Sequence, residues 1–463
     1  MESYRRLVLE EGYKVGIWGL GYIGLSSMAY LAKKGVSCLG MDVREDRVNA
    51  VQAGKHYMPG MDYWLGFDIK SLVDDGLIEA TTNWRELIDP HVLVHLVAVP
   101  TERDNEPYYD YLEDVVRKLA NVRVLDAEFP PLVIVESTLT PGTADERIIP
   151  LLLEAGLEVG KDVLLGVAPR RDWFLESDKN LTNLARVYGG FDEGTSALME
   201  DMLGIVCSDL HRAQDHRHAE IVKSVENAYR HMEITLANQL ALAYPSYDMI
   251  EVLRLVGTKW NMGTYRPGIG TGGYCIPLSS RYVLAGAEKP EELSLLKDTI
   301  CADDQMPFIV ARIFASWGCK SVGILGISYK GDIKVPRVSR SAQIGCILFD
   351  QDIEVAIHDP YFSAEEINEL WGLERFEFPA DLERFDGILV ATDHREYNQV
   401  HWGTIFGKLS RCRLIIDNLG AWGGVDFERH DIVYLEPGAR DWTVAPSDRA
   451  TTVFDNKQLS PAF

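Results

Sequence analysis

Short apolar runs alternate with longer helical stretches along most of the chain. In "YKVGIWGLGYIGLSSMAYLAKKGVSCLGMDV" an apolar strand over 15–18 runs into Gly19-Leu20-Gly21-Tyr22-Ile23-Gly24, a helical stretch follows, and a second strand ends on Asp42. "HVLVHLVAVPTERD" predicts a buried strand that ends in a polar loop around Thr101. "PLVIVESTLTPGTADERIIPLLLEAG" predicts another, with Ser137 and Thr138 at its C-terminal end and a helix after Pro141-Gly142-Thr143. The pattern then changes. "DHRHAEIVKSVENAYRHMEITLANQLALAY" is a long helical pattern with few breakers, with Ile221, Val225, Met232, Leu236 and Leu240 near helical spacing. Strand–helix alternation returns in "CKSVGILGISYKGDIKVPRVSRSAQIGCILFDQDIEVAIHDPYF", with strands ending at Gly326 and Asp359, and continues in "FDGILVATDH" and "CRLIIDNLG". Such alternation predicts parallel sheets covered on both faces.

The glycine spacing adds chemistry to the first strand–helix unit. Gly19 permits the tight turn, Gly21 lets the backbone approach a pyrophosphate, and Gly24 lets the helix pack close to the strand. The helix start at Tyr22 and Ile23 offers N–H groups to phosphate oxygens. Asp42 stands where a carboxylate holds an adenosine ribose; an acid there favours NAD over NADP, because it repels a 2′-phosphate. Ligands of open parallel sheets bind beyond the carboxyl ends of the strands, which is where Thr101 and Thr138 fall. The predicted fold class is therefore α/β: two doubly wound Rossmann-like domains joined by a long central helix and a helical domain. The expected boundaries are 1–205 for an NAD-binding domain, 206–306 for the central helical domain and 307–463 for the second Rossmann-like domain. The loop after Gly326 lacks the glycine pattern and carries Lys330, Lys334, Arg337 and Arg340, a basic set suited to a diphosphate.

Composition narrows the function. The 463 residues carry a formal net charge of −24, which argues against a nucleic-acid partner. No run of eighteen apolar residues suggests a membrane span, and "MESYRRLVLEEGYK" lacks the apolar core of a secretory signal. Seven cysteines, scattered and without a C-x-x-C, are expected to be thiols in a reducing cytoplasm, with neither a disulfide framework nor a zinc site. His211, Asp215, His216 and His218 cluster in sequence, but His216 and His218 are two apart, a poor spacing for one helical face, so no metal is expected. Lys223 and Asn227, four apart, share a face of the long helix. Cys275 follows Gly272, Gly273 and Tyr274 and precedes Ile276 and Pro277, an unusual setting for a structural thiol.

In order along the chain, these segments resemble the nucleotide-sugar 6-dehydrogenases, the UDP-glucose/GDP-mannose dehydrogenase family. "GLGYIGL" is similar to the family's cofactor loop and "ESTLTPGT" to its S-T-x-x-P-G-T segment. "AEIVKSVENAYR" resembles its central-helix motif, "YRPGIGTGGYCIP" the loop bearing its nucleophilic cysteine, and "GISYKGDIKVPRVS" its diphosphate loop. The resemblance implies oxidation of the C6 hydroxyl of a nucleotide-activated hexose, a UDP-sugar before a GDP-sugar, to the uronic acid with NAD. Cys275 would form the thiohemiacetal and thioester, Lys223 with Asn227 would stabilise the alkoxide, and Thr138 would order a water or the cofactor, with Glu176 as an acid. Gly19, Gly21, Tyr22, Ile23, Gly24, Asp42, Arg47, Thr101 and Thr138 would hold NAD. Tyr265, Gly272, Gly273, Lys330 and Arg337 would hold the nucleotide sugar. The resemblance also implies a homodimer through the central helix, with Arg337 at the partner's site.

Departures from the pattern keep other readings open. Leu278 and Ser279 follow Pro277 where the family carries a lysine and an aspartate. Arg170 stands where it carries a glutamate that assists thioester hydrolysis, with Asp172 two residues on as a substitute. The alternatives are a homologue that stops at the 6-aldehyde or passes its thioester to another nucleophile, and a nucleotide-sugar-binding homologue without turnover.

Overall fold

The structure, a computed structural model, describes residues 2–58, 61–124, 127–172, 178–273 and 275–445. The chain forms two compact units, Met1–Asn227 with Leu278–Pro290, and Ala228–Pro277 with Glu291–Phe463. The region 206–306, read from sequence as a domain of its own, is divided between them. The boundaries fall inside the helices His216–Ala243 and Cys275–Ala285.

The first unit is built on an eight-stranded sheet. Its strands are β1 (Lys14–Trp18), β2 (Cys38–Met41), β3 (Ile78–Thr81), β4 (Val92–Val97), β7 (Leu132–Val135), β8 (Leu164–Val167), β9 (Arg186–Gly190) and β10 (Leu210–Arg212). A two-residue hairpin, β5 (Glu102–Arg103) with β6 (Glu106–Pro107), stands apart from it. The order is β10-β9-β8-β7-β4-β1-β2-β3. Neighbours are parallel except β8 and β9, which run antiparallel. The central strands are continuous apolar runs because helices cover both faces, and a separate hydrophobic cluster fills each side. His95 is a polar residue in β4; its Nδ1 accepts from Trp18 Nε1 at 3.2 Å, and burial lowers its pKa to about 3, so it is neutral. Strand β1 lies between β2 and β4, with Trp18 level with Met41 and Val97. The strand order reverses there, so Gly19, Asp42 and Ala98 leave the sheet together at its carboxyl edge.

The second unit repeats the construction in six parallel strands, in the order β13-β12-β11-β14-β15-β16. They are β11 (Ser321–Leu325), β12 (Glu354–His358), β13 (Glu374–Arg375), β14 (Gly387–Val390), β15 (Leu414–Asp417) and β16 (Val433–Leu435). Leu325 is level with His358 and Val390, which makes β11 the counterpart of β1. Among the described residues no helix is long and apolar enough to cross a membrane.

Candidate active site

The glycine turn has the form its spacing predicts. Gly19 has φ +95°, and a Cβ there would lie 2.5 Å from the Ala98 carbonyl oxygen. A Cβ on Gly24 would lie 1.8 Å from the Gly19 carbonyl oxygen, so the helix Tyr22–Lys33 packs onto the turn only because position 24 is glycine. Gly21 differs: a Cβ there would meet nothing within 4 Å. That open ground lies at the start of a helix whose first-turn N–H groups suit an anion. Asp42, 5% exposed, accepts from Leu20 N–H at 2.9 Å and Arg47 Nη1 at 3.1 Å on Oδ2, and from Arg44 N–H at 3.0 Å on Oδ1. Oδ1 retains an acceptor position for a ribose hydroxyl. Arg47 also lies over the Tyr57 ring, and the Tyr57 hydroxyl donates to the Leu20 carbonyl. The residues fit a dinucleotide: open backbone at the pyrophosphate position, a carboxylate at the ribose position.

Thr101 and Thr138 meet beyond β4 and β7. Thr101 Oγ1 donates to the Thr138 carbonyl at 2.6 Å, and the Tyr282 hydroxyl donates to the Thr101 carbonyl. Sequence reading missed Tyr282. Its signal was present, seven residues after Cys275 and so on the same face of one helix. Glu220, also unassigned from sequence, accepts from the N–H groups of Gly142 and Ala144 at 2.9 and 3.0 Å and pins the segment after Thr138. Burial pushes its carboxyl up to about 7, against the pull of those two donors.

Arg170 and Asp172 lie in the interior. Arg170 Nε donates to Asp172 Oδ2 at 2.6 Å, Nη2 to Ser26 Oγ at 3.1 Å and Nη1 to Ser27 Oγ, and Nη1 lies 3.7 Å from Glu136 Oε2. Glu136 also pairs with Arg186. The Asp172 side chain is 2% exposed and is the partner of the arginine. Two opposite charges taken out of solvent hold each other in place. Glu176 lies outside the described residues.

On the long helix His216–Ala243, Lys223 is half-buried and Asn227 is buried, its Nδ2 donating to Ser279 Oγ at 3.0 Å. Ser279 thus serves as a hydrogen-bond partner where the resemblance led one to expect a charge, and Leu278 beside it is buried. His216 pairs with Asp145 and His218 with Asp215, so the histidines of this stretch face different acids.

In the second unit Cys275 is exposed at the first position of the helix Cys275–Ala285; Cys301 is also exposed and Cys346 half-buried, while Cys38, Cys207, Cys319 and Cys412 are buried. A helix N-terminus favours an anionic group such as a thiolate. The glycines before it are needed for close approach. A Cβ on Gly272 would lie 2.8 Å from Tyr329 Cβ; Gly273 has φ +76°, and its Cβ would lie 2.9 Å from Tyr329 Cδ1. Tyr265 is half-buried, and its hydroxyl pKa is raised by burial and by Glu233.

Of the four basic residues in the loop after Gly326, two pair with acids of the protein, Lys334 at the surface and Arg340 in the interior. Lys334 pairs with Glu366 at 2.6 Å, and Arg340, buried, pairs with Asp303 and so turns away from the loop surface. Lys330 is half-buried and Arg337 exposed. Asp303 and His231, which hold this region together, carry no sequence signal: an acid in "CADDQ" and a histidine in a long helix read as solvated positions.

Comparison with known proteins agrees with this architecture. Residues 13–204 match the model of the UDP-glucose/GDP-mannose dehydrogenase family NAD binding domain, residues 217–304 its central domain, and residues 323–423 its UDP binding domain. The chain is 29% identical to the UDP-N-acetyl-D-mannosamine dehydrogenase of Pyrococcus horikoshii, over 87% of this chain and 94% of that protein. It is 25% identical to the UDP-N-acetyl-D-glucosamine 6-dehydrogenase of Pseudomonas aeruginosa, over 84% and 92%. The solved structure of the Pyrococcus horikoshii UDP-D-ManNAc dehydrogenase superposes with a TM-score of 0.80 at 27% identity, covering 92% of this chain and 100% of that one. A glycine turn shaped for a dinucleotide, an exposed thiol at a helix start and three domains matched in order lead to one conclusion: the chain belongs to the UDP-glucose/GDP-mannose dehydrogenase family, its cofactor is NAD, and it is an oxidoreductase.

Proposed function

We propose that this enzyme oxidises the C6 hydroxyl of a UDP-activated hexose, an N-acetylated one by analogy with its relatives, to the carboxylate in two steps through Cys275. The observation that carries this reading is the exposed Cys275 at the start of its helix, behind two glycines on which Tyr329 of the basic loop packs. NAD supplies the hydride acceptor for both oxidations. In the first, the C6 alcohol loses a hydride and a proton to become an aldehyde; Lys223 stabilises the oxygen's developing charge, with Asn227 beside it. The Cys275 thiolate then adds to the aldehyde carbon, and the oxygen takes a proton, giving a thiohemiacetal. Loss of a second hydride and of that proton leaves a thioester. Water breaks the C–S bond, releasing the carboxylate and regenerating the thiol. Gly19, Gly21, Tyr22, Ile23, Gly24, Asp42, Arg47 and Thr101 hold the cofactor, and Thr138 orders it or a water. Lys330 and Arg337 hold the diphosphate, with Tyr265, Gly272 and Gly273 along the sugar.

The test is the number of NADH formed per sugar on a panel of UDP- and GDP-sugars. Two are expected, and one or none in Cys275→Ser, because a serine with its far higher pKa forms poorly the adduct that the second oxidation needs. Carboxylate production at the unmodified rate by Cys275→Ala overturns the mechanism.

One observation favours a second reading. At the position that serves thioester hydrolysis elsewhere in the family this chain carries Arg170, paired with Asp172. Slow hydrolysis lets the thioester persist or reach another nucleophile. Intact-protein mass spectrometry after mixing with NAD and the sugar then shows an adduct that Cys275→Ser lacks.

The enzyme is further proposed to be cytoplasmic, where its thiols stay reduced, and to be a homodimer. Tyr229 and Leu236 on the long helix, and Leu255 and Trp260 beyond it, are apolar and exposed. Sedimentation of a 52.0 kDa species at working concentration refutes the dimer.

A further inference from the structure

Thr271, four residues before Cys275, is gripped on three sides. Its N–H and its hydroxyl donate to Asp303 Oδ1 at 2.9 and 3.0 Å, and its carbonyl accepts from Arg340 Nε at 2.9 Å. Arg340 Nη2 pairs with Asp303 Oδ2 and with Asp304 Oδ1 at 3.0 Å, and Nη1 donates to Gln343 Oε1 at 3.0 Å. His231 Nε2, from the long helix, lies 3.3 Å from Asp303 Oδ2. Thr271, Asp303, Arg340 and His231 are all buried. Burial pushes the Asp303 carboxyl up, but His231, Arg340 and the Thr271 N–H outweigh it and hold its pKa below the usual carboxylate range.

Arg340 is also the first residue of the helix Arg340–Phe349 and closes the loop 326–339. Ser339 beside it donates to the Ile327 carbonyl at 2.7 Å and caps the helix by accepting from Ala342 N–H. Val338, next along, has φ +44°, a left-handed conformation that a β-branched residue adopts only when its surroundings force it. From the other side Tyr329 of the same loop packs on Gly272 and Gly273. The loop is thus fastened to the cysteine loop at both ends. A buried ion pair is a poor source of net stability, since desolvation offsets its attraction, but it fixes geometry strongly.

We infer that the Arg340–Asp303 pair is a positioning device that locks the Cys275 loop to the loop 326–339, so that the thiol keeps a set place relative to whatever diphosphate that loop binds. This rests on the reading of Cys275 as nucleophile and of Lys330 and Arg337 as diphosphate ligands. Neither Arg340 nor Asp303 touches the reacting atoms; both act through Thr271.

The test uses the full chain with Arg340→Met and Asp303→Asn. Arg340→Met is expected to lower kcat with a UDP-N-acetylhexose on the order of 100-fold, the cost of a misplaced reacting group, with KM for NAD unchanged. Asp303→Asn keeps an acceptor for Thr271 and loses less. A second readout needs no turnover. In the unmodified enzyme UDP alone changes the rate of Cys275 alkylation by iodoacetamide by about fivefold or more, and Arg340→Met abolishes that response. If both variants, normalised to folded protein, keep kcat and the UDP response, the inference is overturned. If Arg340→Met does not fold, loss of the UDP response in Asp303→Asn sustains the inference and its retention overturns it. If Cys275→Ala still makes carboxylate while UDP alters alkylation only in the unmodified enzyme, the nucleophile reading fails and the coupling stands.

Discussion

The two parallel sheets of this enzyme begin with one device and end with different chemistry. At each, a strand stops on a glycine in the left-handed region, Gly19 at φ +95° and Gly326 at φ +99°. At each, the next residue donates its N–H to an acid at the end of the neighbouring strand: Leu20 to Asp42 at 2.9 Å, Ile327 to Asp359 at 2.8 Å. Each acid also accepts from the N–H two residues on, Arg44 or Tyr361. The third partner differs. For Asp42 it is Arg47 at the solvent edge; for Asp359 it is His394, fully buried, at 3.1 Å. The first turn reaches its helix after three residues, and the second after fourteen. A short glycine turn presents a helix start to a pyrophosphate. A long loop bars that approach and offers side-chain cations instead. The backbone device builds the sheet edge; what surrounds it decides whether the edge binds a dinucleotide.

Glycine substitutions break the first turn in two distinguishable ways. Gly24→Ala puts a methyl 1.8 Å from the Gly19 carbonyl oxygen and is expected to cost about 3 kcal/mol or more, seen as a large drop in the urea midpoint. Gly21→Ala meets nothing within 4 Å and is expected to leave the midpoint in place while weakening NAD about tenfold or more, seen by NADH fluorescence titration. Equal effects of the two on stability remove the distinction between packing glycine and ligand glycine.

The paired acids sharpen the comparison. Asp359→Ala leaves buried donors from Ile327, Tyr361 and His394 without their acceptor, and is expected to destabilise by about 3 kcal/mol while leaving NAD against NADP preference unchanged. Asp42→Ala removes the charge that repels a 2′-phosphate and is expected to reduce the kcat/KM preference for NAD by about tenfold. Comparable turnover of the unmodified enzyme with both cofactors contradicts the role given to Asp42.

The most gradual effect is in the pH dependence. Glu220 of the first unit has a folded pKa raised to about 7, above its unfolded value of about 4.3. The folded form therefore holds a proton that the unfolded form has released. Its stabilisation is complete below about pH 4.3 and is lost as pH rises to about 7. Asp303 of the second unit is lowered and has the opposite sign, losing its contribution as pH falls through its folded pKa. Relative to Glu220→Gln, the unmodified enzyme is expected to lose stability between about pH 5 and 7, by a few kcal/mol at most. A flat difference between the two in denaturant titrations across that range rules out the shifted carboxyl.

Much of this architecture was readable in advance. The strands ending near Asp42, Thr101, Thr138, Gly326 and Asp359 stand where apolar runs and turn residues put them. The glycine turn and the cysteine loop were legible because their geometry is set by consecutive residues: glycine alone tolerates a positive φ or a backbone contact at these positions. Charged residues were read less well. Lys334, Arg340, Arg170 and Asp172 all resembled groups available to a ligand, and all four are engaged within the protein.

What the sequence by itself determined, then, is the strand–helix alternation, the dinucleotide turn and the glycine-rich setting of Cys275, since each depends on local backbone freedom and periodicity. What only the tertiary structure decided is the partner of each buried charge: Arg170 with Asp172 and Glu136, Arg340 with Asp303 and Thr271, Asn227 with Ser279. The physical reason is that a charge or amide taken out of water must find its complement wherever packing brings one. Apart from Asp172, two residues from Arg170, these complements lie 34 to 69 residues away along the chain, beyond any local pattern.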